Sequence, residues 1–526
     1  MALGQRMDSG EIPSSNGRFQ SIEEWSENLL NSRKTWYAIL IIGIGFQILA
    51  TAMMPVGLDT HLHATMVTDG MDDGEPDLEW GPTRPAETDQ STPTEVSADG
   101  RWWPWHLWMQ LWFTVFGISL TTLHLMGLAT SLLSLATVYL ITRRVWNEED
   151  ALRLTAIAAA YSPLFRAAGR VYQEGAILLL VTIAFAALVL GERQRKEGKM
   201  PLLWILSAIM CMMVLAMKGM PEVYVVGFIL LLLIWTQISE RDIELSFKHT
   251  ASIVLTLSIL TMVFRLSQID FSIQDYFIDI IEAWLIAWLI GGFIFIYAGM
   301  CLFIRPHEKK TKLTLIQISS LVCCGVLIGW IAAIWMVEAI VLEISFFELW
   351  PESFRHNPRY ASLLLVPMWW AWMERKPGES VMQPEKSRAA LFVGAILLMM
   401  IFNSYHLATT GTRGMEVIGE ELSDEMDDDD EILYVAPAPL AMHRLYTLHL
   451  TLDPESDSNI LAHWRLDNAN WAEELDSCQS LQGVNWILFD YRVDTELNQN
   501  WTAIEMSSEI DQRWRVYQWN GNDERC

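Results

Sequence analysis

The feature that most constrains this 526-residue chain is its series of long runs without a single charged side chain. They fall at about 36–54, 118–141, 154–165, 175–190, 201–217, 223–238, 250–264, 283–304, 313–337, 360–373 and 389–407. Most reach the roughly 17–25 residues needed to cross a 30 Å hydrocarbon core. Inside lipid the backbone must satisfy its own hydrogen bonds, so such runs become helices. The pattern predicts an α-helical polytopic membrane protein with about eleven transmembrane helices. Ala50-Thr51-Ala52 at the end of the first run resembles a signal-peptidase site. That run is longer than a signal-peptide core and follows about 35 mostly polar residues, so it reads as a retained span.

The net charge of −27 is unusual for a chain that is 52% hydrophobic, and its location explains it. Residues 55–101 hold eleven acids against two arginines, and residues 408–526 hold twenty-five against seven. Elsewhere 27 acids balance 27 bases. The excess argues against a nucleic-acid partner, which needs basic patches to replace phosphate counterions. Short loops on one side of the predicted membrane collect the lysines and arginines. They hold Arg143/Arg144/Arg153, Arg193/Arg195/Lys196/Lys199, Arg241/Lys248, Arg305/Lys309/Lys310/Lys312 and Arg375/Lys376/Lys386/Arg388. With the N-terminal tail this side takes 21 of the 36 basic residues. Positive loops stay inside, so the expected protein lies in the plasma membrane with a cytoplasmic N-terminus. Three regions follow: a cytoplasmic tail (1–35), a transmembrane domain (36–407, with 55–117 as first outer loop and juxtamembrane helix), and an acidic extracytoplasmic domain (408–526).

Residues 102–142 are uncharged throughout, and as one helix they would be about 60 Å long. A break is therefore expected, and Gly117 is the natural place for it. Before it, Trp105, Trp108 and Trp112 recur at i, i+3, i+7, the stripe of a helix lying in the interface with its indoles at headgroup depth. After residue 408 the texture changes. An acidic run from Glu425 to Glu431 reads as a solvated linker, with a loose divalent-ion site as the lesser reading. Strand-like "ILYVA", "NWILFDY" and "RWRVYQW" surround a helical "NANWAEELDSC", enough for a small α/β domain. Cys478 and Cys526 stand in an oxidising compartment where they could pair; Cys211, Cys301, Cys323 and Cys324 lie in spans as packing residues.

Candidate chemistry gathers at the outer ends of the spans. Asp59 follows the first span by a few residues, where partial desolvation would raise its basicity toward that of a general base. If the segment is helical, Asp59 and His63 share a face at i, i+4; the D-x-H-x-H pattern with His61 could instead ligate a metal, and an ordinary loop acid remains open. Six cations stand on the side that the charge rule leaves poor in bases: Arg166, Arg170, Lys218, Arg265, Arg355 and Arg359. Converging, they would hold a lipid phosphate. Taken singly, Arg170 with Glu174 and Lys218 with Glu222 could be local i, i+4 ion pairs. Glu174 sits at a membrane boundary, where a buried acid tends to mark function.

In this order the pieces resemble the GT-C membrane glycosyltransferases, in particular the branch of the dolichyl-phosphate-mannose protein mannosyltransferases and aminoarabinose transferases. The resemblance covers roughly 36–375. The family's Asp-Glu after the first span is similar to "GLDTHLH", with Thr60 in the Glu position. Its Pro-Pro-Leu segment before an interfacial helix resembles "WWPWHLWMQLWFTVFG", where Pro104 and the aromatic-Gly ending are kept. Its "sP…gR…D" resembles "YSPLFRAAGRVYQEG", with Ser162, Pro163 and Arg170, and with Glu174 replacing Asp. Its Lys-Gly is similar to Lys218-Gly219, its Arg-Tyr…Pro to Arg359, Tyr360 and Pro367, and the arginine that usually opens the second span is His124 here.

What the resemblance implies is a GT-C-type fold that moves a sugar from a polyprenyl- or dolichyl-phosphate donor to a protein, lipid or glycan acceptor outside the membrane. Asp59 would be the base; Arg170, Lys218 and Arg359, with Arg166 and Glu174, would line the donor phosphate; His61, His63 and His106 would be accessory or acceptor-side residues. A lipid-phosphate leaving group makes a divalent metal optional. The alternative is a non-enzymatic polytopic protein, a transporter or cell-envelope assembly factor with an acidic extracellular domain. A transporter would place ionisable residues at mid-membrane, whereas these cluster at span ends. An oligosaccharyltransferase would want a D-x-D-like metal motif, which "MDDGEPD" is too weak to supply, and a Trp-Trp-Asp motif, which the sequence lacks.

Overall fold

A computed structural model of the chain describes residues 15–72, 102–220, 223–240, 247–267, 281, 284–289, 313–341, 357–373, 386–409, 413–427, 430–437, 444–454, 460–477, 481–495, 497–506 and 514–520. The helical body comprises α1 (Ser15–Asn31), α2 (Arg33–Met53), α3 (Leu58–Asp72), α4 (Trp103–Phe116), α5 (Leu120–Val145), α6 (Glu148–Ala160), α7 (Ser162–Arg170), α8 (Glu174–Lys196), α9 (Leu203–Met217), α10 (Val223–Glu240), α11 (Phe247–Ser267), α12 (Leu315–Val341), a 3₁₀ turn (Asn357–Ala361), α13 (Ser362–Met373) and α14 (Lys386–Thr409). A C-terminal α/β domain follows, with α15 (Gly414–Leu422), β1 (Glu431–Ala436), α16 (Leu445–Leu452), β2 (Leu461–Leu466), α17 (Trp471–Asp476), β3 (Val484–Phe489), β4 (Trp501–Ile504) and β5 (Arg515–Trp519).

Among the described residues five helices are long and apolar enough to cross a membrane: Arg33–Met53, Leu120–Val145, Glu174–Lys196, Leu315–Ile334 and α14, whose apolar stretch begins at Ala389. The 21 residues of α2 alone rise about 31 Å. Leu203–Met217, Val223–Ser239 and Ala251–Ser267 are shorter apolar helices. Their outward faces carry Ile41 and Ile48 on α2, Leu133 and Leu140 on α5, and Ile401 and Phe402 on α14, all exposed. A water-soluble protein does not display apolar surface on this scale. The chain is a helical polytopic membrane protein. Most of the run at 283–304 lies outside the described residues.

The run at 154–165 is not one span. Its helix stops at Ala160 and restarts at Ser162, because Pro163 has no N–H to continue the ladder and prefers a helix's first turn. The break predicted in 102–142 is present: α4 ends at Gly117, whose φ of +82° suits glycine. The tryptophan stripe packs against the helical body. Trp105 is fully buried, while the Trp108 and Trp112 indoles donate to Thr130 Oγ1 and the Thr122 carbonyl of α5, each at 2.8 Å. The face of α4 left exposed is Leu107, Leu111 and Val115. For Trp108 and Trp112 a fixed partner makes the N–H cheaper to take out of water.

The C-terminal sheet has the order β2-β1-β3-β5-β4, parallel across β2, β1 and β3 and antiparallel beyond. Alternation sorts its core. Ile432, Tyr434 and Ala436 pack with α15 and α16 on one face, and Leu433 and Val435 pack with Trp471 and Leu475 on the other. A strand covered on both faces reads as a continuous apolar run, which is why "ILYVA" was legible. The acidic run is more than a linker. Asp430 accepts from the Trp486 indole (2.8 Å) and Glu431 opens β1 with His463 Nε2 at 2.9 Å. Cys478 and Cys526 lie outside the described residues.

Candidate active site

The site is built where the end of α2, the start of α3 and the α7–α8 junction meet. Pro55 ends the run of helix donors, and the chain turns through Gly57 into α3. Gly57 N–H donates to the Arg170 carbonyl at 3.0 Å, and Thr60 Oγ1 donates to the Val171 carbonyl at 3.0 Å. Gly57 must be glycine, since a Cβ there would lie 2.1 Å from the Tyr172 ring. Val171, the residue that turns both carbonyls toward this loop, has φ +58°, a strained conformation for a β-branched side chain. Asp59 then falls in the first turn of α3, where the helix dipole favours a carboxylate.

From Asp59 a chain of charges crosses the body. Arg359 Nη1 lies 3.3 Å from Asp59 Oδ2, and its Nε lies 3.8 Å from Glu174 Oε1. Lys218 Nζ donates to the same Glu174 oxygen at 2.6 Å. Aromatic rings hold the cations: Arg359 lies 5.2 Å from the centre of Tyr172 and 5.4 Å from Tyr360, and Lys218 Nζ lies 5.2 Å from Tyr360. Glu174 and Lys218 are almost wholly buried, whereas Asp59 keeps 65% of its side-chain surface accessible. Arg166 is buried on α7, within electrostatic reach of Arg170, Arg359, Tyr172 and Glu174. Lys218, Arg359 and Arg166 thus lie within electrostatic reach of Glu174, the first two also of Asp59.

The geometry changes several sequence expectations. Glu174 does not pair with Arg170 at i, i+4, because α7 ends at Arg170 and a new helix begins at Glu174; its partners are Lys218 and Arg359. Arg170 seats the Asp59 loop through its carbonyl. Asp59 is not raised in basicity. Partial desolvation pushes its carboxyl up, but the charge of Arg359 foremost, with Lys218 behind it, outweighs that and holds it below the usual carboxylate range. Arg265 ends α11, within reach of Tyr224; Glu222 and Arg355 lie outside the described residues.

The histidines separate. His63, one turn after Asp59 on α3, has Nε2 3.1 Å from the Gln173 amide nitrogen and Nδ1 3.0 Å from His106 Nε2. An amide nitrogen can only donate, so His63 Nε2 accepts and its Nδ1–H donates to His106. Burial lowers His63 to about 3, helped by its imidazole neighbour, and lowers His106 to about 4. Both rings are neutral at physiological pH. His61 turns the other way, with Nε2 3.6 Å from Glu416 Oε1. Trp102 closes this corner, its ring 5.1 Å from His63 and its indole nitrogen 3.1 Å from where a Cβ on Gly219 would sit. Among the described residues no group of three or more His, Cys, Asp or Glu side chains is arranged to hold a metal ion.

Sequence reasoning missed Tyr172, Gln173 and Glu416. The first two stand in "VYQEG" beside residues that were singled out, and an aromatic next to a boundary cation is the signal that could have found Tyr172. Glu416 had none, being one acid among many in the tail.

No family model and no curated protein matches the chain. Among solved structures it is similar to the crystal structure of ArnT from Cupriavidus metallidurans bound to undecaprenyl phosphate, with a TM-score of 0.44 and 12% identity over 92% of this chain and 98% of that one.

Proposed function

We propose that this protein is a membrane glycosyltransferase of the GT-C type that moves a sugar from a polyprenyl-phosphate carrier to an acceptor outside the membrane. The observation that carries this is the chain Asp59–Arg359–Glu174–Lys218, buried at its Glu174–Lys218 end and accessible at Asp59, assembled from four separate parts of the sequence. Buried charges are costly, and proteins keep them where chemistry needs them. The residues of the sequence resemblance, Asp59, Glu174, Lys218 and Arg359, are the members of this chain.

The reaction suits these groups. The acceptor hydroxyl gives its proton to the Asp59 carboxylate as its oxygen forms a bond to the anomeric carbon. The bond from that carbon to the phosphate oxygen breaks on the opposite face, so configuration inverts and the electron pair leaves with the lipid phosphate. That phosphate gains one negative charge, which Arg359 and Lys218 stabilise with Arg166 and Arg170 behind them. A phosphate drawing on Arg359 loosens its hold on Asp59, so donor binding restores basicity to the carboxylate. The orientation set by the basic loops, with the N-terminus inside, puts this chemistry on the outer face.

The test is sugar transfer in membranes from a polyprenyl-phosphate-linked sugar. Asp59→Asn should abolish it with expression intact. Retained transfer would remove Asp59 from the mechanism. Failure of the unaltered protein to transfer any such sugar would return the non-enzymatic reading.

A further inference from the structure

Asp59 makes few contacts of its own. Its side chain is 65% accessible, and Arg359 approaches it at 3.3 Å. Its position is therefore set by its backbone, which is tethered on both sides. Two tethers, at Gly57 and Thr60, come from the α7–α8 turn. The third comes from the far end of the chain. Glu416 on α15, 1% exposed, accepts a hydrogen bond from the Val56 N–H at 2.6 Å. The same carboxylate lies 3.6 Å from His61 Nε2 on α3, from His124 Nε2 on α5 and from Arg413 Nε. Arg413 in turn donates to the Thr51 carbonyl near the end of α2 at 2.9 Å. The far face of α3 is covered by α16, where Tyr446 packs on Met66 with Leu62 and Trp102.

A neutral side chain could accept from Val56 equally well. A carboxylate taken fully out of water needs a donor and basic groups close by. Here the Val56 N–H donates, and His61 on α3, His124 on α5 and Arg413 before α15 each stand 3.6 Å away, so one side chain links the first loop, the second span and the start of the C-terminal domain. We infer that Glu416 is a positioning residue for Asp59, by which the segment after the last membrane helix holds the first outer loop in its working register. The inference rests on the reading of Asp59 as the base.

The experiment compares Glu416→Ala, Glu416→Asp and Glu416→Gln in the full-length protein, with transfer kinetics from a polyprenyl-phosphate-linked sugar. Misplacing a reacting group by about 1 Å costs on the order of 100-fold. Glu416→Ala and Glu416→Asp, whose carboxylate falls one methylene short of Val56, should lose about that much kcat. KM for the lipid donor should hold, because Lys218 and Arg359 are untouched. Glu416→Gln keeps an oxygen for Val56 and should recover most of kcat. Wild-type kcat in Glu416→Asp overturns the inference, as does equal damage to kcat and KM, or a Glu416→Gln that loses as much kcat as Glu416→Ala. Glu416→Asp keeps the charge and serves if Glu416→Ala does not fold. If Asp59→Asn itself transfers sugar, the base assignment has failed, and that is read separately from the Glu416 series.

Discussion

The two ends of the helical body use the same residue types to opposite effect. At the end carrying Arg33, ion pairs join Arg33 and Arg143 to Glu148, Arg153 to Glu149 and Arg195 to Glu192, and they are exposed or one helical turn apart. A cavity of about 320 Å³ lies among them, lined by Arg33, Trp36, Glu148, Glu149, Leu152 and Arg153. At the other end the pairs join Asp59 to Arg359 and Glu174 to Lys218, across 300 and 44 residues of sequence, around a carboxylate that is almost entirely buried. Local exposed pairs contribute little and form wherever helices are charged. Long-range buried pairs must offset desolvation, and their persistence marks a use. The cavity lies among local, exposed pairs, whereas the long-range, buried pairs lie at the other end.

The contrast breaks most directly if both ends are neutralised. Lys218→Met leaves Glu174 buried with only the longer Arg359 contact, and losing one partner of a buried pair costs about 3–5 kcal/mol. Removing one donor aimed at developing charge costs about 10²–10³ in rate, so transfer should fall by that factor. Glu148→Gln, at the opposite end, should leave rate and Tm where they were. Equal losses at both ends, measured by transfer in membranes and melting in detergent, would dissolve the distinction.

Arg359→Gln sharpens it through pH. In the native protein Arg359 does most to hold Asp59 below the ordinary carboxylate range, against burial that pushes it up. A carboxylate lowered in this way stabilises the fold above its unfolded pKa, near 3.9, and loses that contribution as pH falls through the folded value. The acid limb of kcat/KM should lie below the usual carboxylate range in the native protein and move to higher pH in Arg359→Gln. An unmoved limb would separate Arg359 from the titrating group.

Gly219→Ala should have a smaller effect. Gly219 has φ +59°, and its added Cβ would meet the Trp102 indole at 3.1 Å. The backbone conformation alone costs an alanine about 1–2 kcal/mol. Because Lys218 precedes it and Trp102 packs on His63, transfer should drop about tenfold with a matching fall in stability. An unchanged Tm would show that this corner relaxes freely.

Legibility followed the same divide. Spans were readable because each element must be apolar by itself, and β1 and β3 because both their faces are buried. β2, "LAHWRL", escaped: His463 and Arg465 are buried through Glu431 and Glu474, and no apolar run marks a strand whose core is polar. At the site, Asp59, Glu174, Lys218 and Arg359 stood out as charges at span ends. Their pairing did not, since it depends on α7 stopping at Arg170. Asp59's lowered basicity was hidden for the same reason: proximity to the membrane suggested burial, whereas only the fold shows Arg359 arriving from 300 residues away.

The least conspicuous effect concerns the neutral pair beside the network. An ordinary histidine titrates near 6.5; burial holds His63 at about 3 and His106 at about 4. Between these values and 6.5 the unfolded chain binds protons that the folded chain refuses, so stability must fall as pH drops below about 6.5. Glutamine at position 106 has no such proton to take, and His106→Gln should therefore flatten the dependence of Tm on pH between 7 and 5. The carboxylates of the network cannot supply this slope, since Asp59 stays ionised throughout that window. If the native protein melts at the same temperature at pH 7 and pH 5, the two rings are charged in the fold. The hydrogen bond from His63 Nδ1 to His106 Nε2 would then have no acceptor, and the description of that corner would have to change with it.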